Sequence, residues 1–177
     1  MKKLLSLLIA ISLVLSISVI TVPAAEETVF FESFENGLDE WTYNNDYSKT
    51  HVTIDSSNAT EGKSSVKIID DTETGSPAIT SKKFKAEEGM TYSFSADFKA
   101  IGEQTNKIYA RFFDKDGNRL ENKSFYAKDA EWKKASLTLV APAGTVSGVI
   151  LVSGVSAGMG GAYIDNIKVV KTDAPKE

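Results

Sequence analysis

Polar and apolar residues alternate strictly in the segment MTYSFSADFKA, which spans residues 90–100. Tyr92, Phe94, Ala96 and Phe98 occupy every second position, and small polar or charged residues fall between them. A period of two places the apolar side chains on one face of an extended chain. The segment therefore predicts a β-strand with one buried face.

Shorter segments of the same kind recur along the chain, separated by Gly, Asn, Asp and Ser. KIYARFF predicts a strand over residues 107–113, followed by a turn over 114–118 in which Asp116 and Gly117 favour a hairpin. Further strands are predicted for TVFFES, WTYN, HVTI, SSVKIID, AITSKKF, KKASLTLV, TVSGVILVSG and GAYIDNIKVV. Many short strands without a long helix predict an all-β fold, an antiparallel β-sandwich or barrel, in a single domain without internal repeats.

The first 25 residues have the three parts of a secretory signal peptide. Lys2 and Lys3 precede a long apolar run, and small residues follow it. Cleavage is expected after Ala24 or Ala25, and an uncleaved membrane anchor is the alternative. We therefore expect a secreted, extracellular protein that has no membrane attachment after cleavage.

The chain that remains is expected to form a folded domain over residues 26–171 and a polar tail over 172–177. It contains no cysteine, which excludes disulfides and lipidation on cysteine. The whole chain has 20 basic and 24 acidic residues. Without Lys2 and Lys3, 18 basic residues face 24 acidic ones, a net charge of −6. This balance argues against nucleic acid or an anionic surface as a partner.

An acidic residue interrupts the last predicted strand. In AYIDNIKVV, residues 162–170, Asp165 stands among apolar residues, where an unpaired carboxylate would be costly. The residues alone leave two accounts open. In the first, Asp165 accepts hydrogen bonds from backbone amides, and Glu35 and Glu61 are solvated turn residues. In the second, the three carboxylates share a cation such as calcium, which takes six to eight oxygen ligands.

Three motifs resemble, in their order and spacing, the landmarks of a known family. SFENGLDEWT, NATEGKSSVKI and AYIDNIKV look like those of jelly-roll carbohydrate-binding modules grouped as families 4, 9 and 22, which are attached to secreted bacterial polysaccharide-degrading enzymes. The resemblance extends from about Phe30 to Val170. It implies a galactose-binding-domain-like antiparallel β-sandwich that binds a polysaccharide, a β-glucan or xylan-like chain, without catalysis. It also implies that a secreted glycoside hydrolase acts nearby.

The same resemblance implies a buried structural calcium where the first and last strands meet a loop. Glu35, Glu61 and Asp165 occupy the matching acidic positions, and the backbone carbonyls of Ser33 and Ser64 would supply two more oxygens. We expect a purely structural ion, because no site of this type leaves an open position facing the ligand.

The strand predicted for KIYARFF offers a candidate sugar-binding face. If alternate residues from Ile108 onward point into the core, Tyr109, Arg111 and Phe113 point to the opposite face. Aromatic rings stack on sugars, and a guanidinium donates hydrogen bonds to hydroxyl groups. Tyr126, in SFYAK, is a further candidate. The alternative is that these residues form the ordinary outer face of a sheet.

Other aromatic residues are assigned differently. Trp41 and Trp132 stand at positions that look structural, and both are expected to be mostly core. The family often has an aromatic residue in the loop before AITSKKF, where this chain has Pro77 and Ala78. The glycan contact could shift instead to the ring-bearing residues of WTYNNDYSKTH, namely Tyr43, Tyr47 and His51.

Two other classes of function stay open from the sequence. The first is an extracellular structural or adhesive domain that contacts protein or matrix. The second, more remote, is a small glycosidase or lyase, which would need two carboxylates held across a cleft. No paired-acid motif lies on one predicted strand, and a single histidine without a thiol does not supply a nucleophilic triad. We therefore do not expect an enzyme.

Overall fold

The computed structural model describes residues 26–102, 106–154 and 160–172, so the predicted signal peptide lies outside the described residues. The described elements, in chain order, are β1 (Glu26–Glu32), β2 (Trp41–Tyr43), α1 (Asp46–His51), β3 (Val52–Asp55), β4 (Ser65–Asp70), β5 (Ala78–Ser81), β6 (Phe84–Lys85), β7 (Thr91–Ile101), β8 (Lys107–Phe113), β9 (Arg119–Phe125), β10 (Lys133–Val140), β11 (Ser147–Ser153) and β12 (Gly160–Thr172). β12 includes Thr172, one residue beyond the predicted end of the domain. In these three ranges we find no helix long and apolar enough to cross a bilayer.

The strands form two antiparallel sheets that pack face to face. The first sheet has the order β10-β7-β12-β4-β3, and β1 also pairs with β12. The second has the order β2-β5-β11-β8-β9, and β6 also pairs with β11. This architecture confirms the predicted all-β antiparallel sandwich of the jelly-roll type.

Alternating side chains of the two sheets fill the space between them. Tyr92, Phe94, Ala96 and Phe98 of β7 are all buried, as the alternation in the sequence predicts. The second sheet contributes buried residues of β8 and β11, and the Phe112 ring of β8 lies 5.2 Å from that of Tyr92. Because buried and outward residues alternate along β7 and β8, a register slip by one residue would turn the buried residues outward, and this fixes the register.

The two tryptophans occupy different environments. Trp41 belongs to the core, where its ring stacks on that of Phe34 at 5.6 Å, as predicted. The prediction that Trp132 is mostly core is wrong. Trp132 is half-buried just before β10, and its ring lies 6.5 Å from that of Tyr163. Tyr163 is the register partner of Lys99 and Lys67, so both rings cover the outer face of the first sheet.

Adjacent phenylalanines of β8 provide a test of the alternation. Phe112→Ala should lower the free energy of unfolding by about 3–5 kcal/mol, because it removes a fully buried ring. Phe113→Ala should cost about 1 kcal/mol, because that ring is half-buried on the outer face. Urea denaturation measures both. Equal losses would contradict the assignment of Phe112 to the core and Phe113 to the outer face.

Candidate functional site

The last strand changes its neighbour at Asp165. Residues 160–164 of β12 pair with β4, and residues 167–172 pair with β1. The pairing of β12 with β7 shifts register between Asp165 and Lys168, and Asn166 has a φ of 50°. Asn is among the few residues that adopt this left-handed conformation readily. The acid that interrupts the apolar pattern therefore marks a β-bulge.

The carboxylate of Asp165 is buried under the β3–β4 loop, residues 56–64, and is 0% exposed. Its Oδ2 accepts hydrogen bonds from Thr60 N at 2.9 Å, Thr60 Oγ1 at 3.0 Å and Glu61 N at 3.3 Å. Its Oδ1 accepts one from Asn166 N at 2.7 Å. Hydrogen bonds from amides and hydroxyls stabilise a buried negative charge. Asp165 thus has the backbone-amide partners that one of the two sequence-based accounts requires.

Glu35, in the turn after β1, reaches the same loop from the other side. Its Oε1 accepts hydrogen bonds from Lys63 N at 2.9 Å and Ser64 N at 2.7 Å. Gly62 makes this approach possible, because its φ is 67° and a Cβ there would lie 2.5 Å from the same Oε1. Glu35 and Asp165 therefore hold two parts of the β3–β4 loop in place through hydrogen bonds to its backbone amides.

The predicted calcium ligands are only partly brought together. Glu35 and Asp165 meet at the loop, but their oxygens accept hydrogen bonds from amides, and Ser64 contributes its N–H. Glu61 is exposed, and Ser33 is the first residue after β1. Across the described ranges, no three acidic or histidine side chains converge as a metal cage would need. This arrangement fits amide capping better than a cation cage, so calcium stays a prediction.

The predicted ligand-binding residues of β8 lie together on the outer face of the second sheet. The strand runs from Lys107 to Phe113 with strictly alternating burial, so Tyr109, Arg111 and Phe113 share that face. Opposite them on β11, Leu151 pairs with Tyr109 and Val149 pairs with Arg111. We call this surface, formed by Tyr109, Arg111, Phe113, Val149 and Leu151, the platform face.

Arg111 is held at the centre of the platform face by its neighbours. Its Nε donates to Asn122 Oδ1 of β9 at 2.8 Å, and its guanidinium carbon lies 5.7 Å from the centre of the Tyr109 ring. Partial burial, and then the nearby positive charge of Arg119, lower the pKa of Arg111 from its ordinary value. The side chain is thus oriented and partly desolvated, which favours the recognition of a ligand.

Tyr126 follows the end of β9 and is 41% exposed. The ammonium groups of Lys107 and Lys128 lie 5.5 and 5.7 Å from the centre of its ring. Lys83 stands in the same relation to Phe113, at 6.0 Å. Each outward ring of this region is therefore accompanied by a cation.

Sequence reasoning missed the part of the platform face that β11 contributes. Val149 and Leu151 are only 5% and 6% exposed although they point away from the core. The signal was present in SGVILVS, because an uninterrupted apolar run is typical of a strand covered on both faces. A separate groove of about 690 Å³ beside β1, lined in part by Phe30 and Phe31, is not part of this face.

Near α1 lie the residues predicted as alternative glycan contacts, Tyr43, Tyr47 and His51, and two of them contact each other. The rings of Tyr47 and His51 stack with their centres 3.7 Å apart. The Tyr47 hydroxyl donates to Asp71 Oδ1 at 2.7 Å, and this bond holds the pKa of Asp71 below its usual range. His51 Nε2 lies 3.1 Å from the same oxygen. Tyr43 packs against the core. These residues form a local cluster instead of an open row of rings.

The jelly-roll fold is shared with solved carbohydrate-binding modules. A family 16 carbohydrate-binding module has 18% identity and a TM-score of 0.61 over 77% of this chain and 94% of its own. The CBM22-1 xylan-binding domain of Paenibacillus barcinonensis Xyn10C has 16% identity and a TM-score of 0.60 over 86% and 99%. The CBM22-1–GH10 modules of Clostridium thermocellum xylanase 10B, complexed with xylohexaose, have 15% identity and a TM-score of 0.58 over 81% and 28%.

Residues 26–157 match the model of the carbohydrate binding domain family CBM_4_9. Since this match covers most of the chain, the chain belongs to that family. The family resemblance predicted from the three motifs is thereby confirmed. A search of curated proteins found no match.

Replacement of the buried carboxylate tests its structural role. Asp165→Ala should lower the free energy of unfolding by about 3 kcal/mol, because it leaves several buried amides without an acceptor. Asp129→Ala removes an exposed carboxylate and should change it by less than about 0.5 kcal/mol. Thermal and urea unfolding in a calcium-free buffer measure both. A loss for Asp165→Ala no greater than the loss for Asp129→Ala would contradict the role.

Proposed function

We propose that this protein is a secreted, non-catalytic module that binds a polysaccharide along the platform face. The observation that carries the proposal is the row of Tyr109, Arg111 and Phe113 on one outward face, in a member of a carbohydrate-binding family. Membership alone would not locate a site, because one sandwich serves many functions.

The row suits an extended chain better than a single sugar. Tyr109 and Phe113 are four residues apart on one strand, which corresponds to about 13 Å. Their rings offer apolar surface for the C–H faces of sugars, while Arg111 and Asn122 offer polar groups for hydroxyls. Val149 and Leu151 form an apolar floor beside this row, on β11, and are almost fully buried.

The ligand class is proposed as a β-glucan or xylan-like chain. Support comes from the similar solved structures, of which one is described as xylan-binding and another as complexed with xylohexaose. The latter structure also contains a GH10 module, which supports a glycoside hydrolase acting nearby. Secretion rests on the predicted signal peptide.

Replacement of the rings tests the site. Tyr109→Ala and Phe113→Ala should each weaken polysaccharide binding about tenfold, because stacked rings supply most of the contact area. Affinity electrophoresis in gels containing soluble xylan, mixed-linkage β-glucan or other polysaccharides measures the retardation. Each variant should keep cooperative unfolding.

Tyr163→Ala is the matched control, since it removes a ring from the outer face of the other sheet. Its migration should equal that of the parent. If Tyr163→Ala alone abolishes retardation, the site lies on the first sheet beside Trp132. If the parent binds no polysaccharide in a glycan array, the structural or adhesive alternative replaces this proposal.

We also propose that calcium stabilises the junction of β1, β12 and the β3–β4 loop. The support is that Glu35 and Asp165 already meet at this loop. Binding would require their oxygens to turn from amide donors to the ion.

Calcium should then raise the melting temperature by several degrees, and chelation should reverse the rise, because a ligand of the native state stabilises it. Magnesium should act much less, since it requires tighter octahedral geometry. Glu35→Gln should remove most of the response. Equal melting temperatures with calcium and with chelator would refute the ion and leave the hydrogen bonds from backbone amides and the Thr60 hydroxyl to stabilise Asp165.

A further inference from the structure

Five basic residues on and beside the platform face have no ion-pair partner among the described residues. They are Lys83, Lys107, Arg111, Arg119 and Lys128. Four of them lie over aromatic rings, and Arg119 lies close enough to Arg111 to lower its pKa. Within ranges 26–102, 106–154 and 160–172, no ion pair joins any of the five to a carboxylate, although other lysines of the chain form such pairs.

Two acids of the β8–β9 hairpin, Asp114 and Glu121, accept local hydrogen bonds from backbone and amide groups. Asp114 accepts hydrogen bonds from Asp116 N and from both nitrogens of Asn118, which close the β8–β9 turn. The Oε1 of Glu121 accepts one from Asn122 N. These acids keep their charge, but residues 107–128 carry six basic side chains against three acidic ones, a net of +3, in a chain whose net charge is −4.

This arrangement has an energetic consequence. Arg111 is partly desolvated and has Arg119 as a like-charged neighbour, and both conditions disfavour a cation unless an anion approaches. Its Nε–H is already engaged by Asn122, which fixes the plane of the guanidinium. The two terminal nitrogens then present a planar pair of donors, the geometry that matches a carboxylate.

We propose that the polysaccharide is acidic and that its uronic-acid carboxylates bind Arg111 and Arg119 while its sugar rings lie on Tyr109 and Phe113. This inference rests on the proposed function and specifies the substrate class of the same site. The net negative charge of the molecule does not oppose it, because the ligand meets the local field of one face.

Pairs of polysaccharides that differ only in charge separate the contribution of the carboxylates to binding from that of the sugar rings. The parent protein is titrated by calorimetry with glucuronoxylan, polygalacturonate and alginate, and with carboxyl-reduced forms that keep each backbone but lose its charge. At least one uronate polymer should bind about tenfold more tightly than its reduced form, and the difference should shrink as salt rises. Sulfated and phosphorylated glycans complete the panel.

Matched variants locate the charge. Arg111→Gln should lose about tenfold in affinity for the uronate polymer and little for the reduced one. Arg111→Lys should recover only part of the loss, because it keeps the charge without the fork. Lys123→Gln makes the same change in charge on β9, but Lys123 pairs with core-facing Ala110 and points away from the platform face. Its affinity should equal that of the parent.

The remaining outcomes are distinct. Equal binding of native and reduced polymers would overturn the acidic ligand and leave polysaccharide binding intact. Tighter binding of sulfated or phosphorylated glycans than of any uronate would also overturn it. Equal losses of affinity for Lys123→Gln and Arg111→Gln would show that only the net charge of the protein matters, and would overturn the assignment of the carboxylate contact to Arg111. Binding to no polysaccharide, charged or neutral, would refute the proposed function itself.

Discussion

Hydrogen bonds from the β3–β4 loop to two carboxylates tie that loop to the first sheet where β12 changes its neighbour. Asp165 accepts hydrogen bonds from backbone amides in one part of the β3–β4 loop, and Glu35 accepts hydrogen bonds from backbone amides in another part. At this point β12 leaves β4 and begins to pair with β1. A bulge disrupts the ladder locally, so the backbone groups around it need other partners. The two acids supply acceptors from distant segments, and they join three parts of the chain at the place where pairing alone would be weakest.

The second sheet depends on a different constraint, the strict alternation of β8. Its core-facing residues pack against β7, and this fixes which residues face outward. The outward direction of the β8 residues of the platform face consequently follows from the packing of their neighbours in the core. These residues require no special backbone conformation. Flanking strands then set its chemistry, since β11 adds the apolar floor and β9 adds the acceptor that orients Arg111. A rigid scaffold of this kind can change its ligand through outward residues without disturbing the interior.

Much of this arrangement could be predicted from the sequence, because period-two patterns report directly on burial. The bounds of β8 and the buried residues of β7 follow from that pattern alone. The misfit of Asp165 was visible, but the bulge was not, because it arises when β12 exchanges one neighbour for another. The outward role of Val149 and Leu151 was hidden in an apolar run without alternation. Arg111 was predicted to face outward, but the other basic residues beside the platform face were not, because the net negative charge of the chain does not show where its charges lie.

The pairing of β1 with β12 has a consequence for the order of folding. Glu26 is the register partner of Thr172, so the first described strand completes its ladder only with the last. Contacts of such large sequence separation are slow to form, because the loop entropy of the whole intervening chain must be lost first. During synthesis β1 therefore stays unpaired until β12 has been made. Its first residues, Glu26, Glu27 and Thr28, are polar or charged, which disfavours pairing of the exposed segment with another chain.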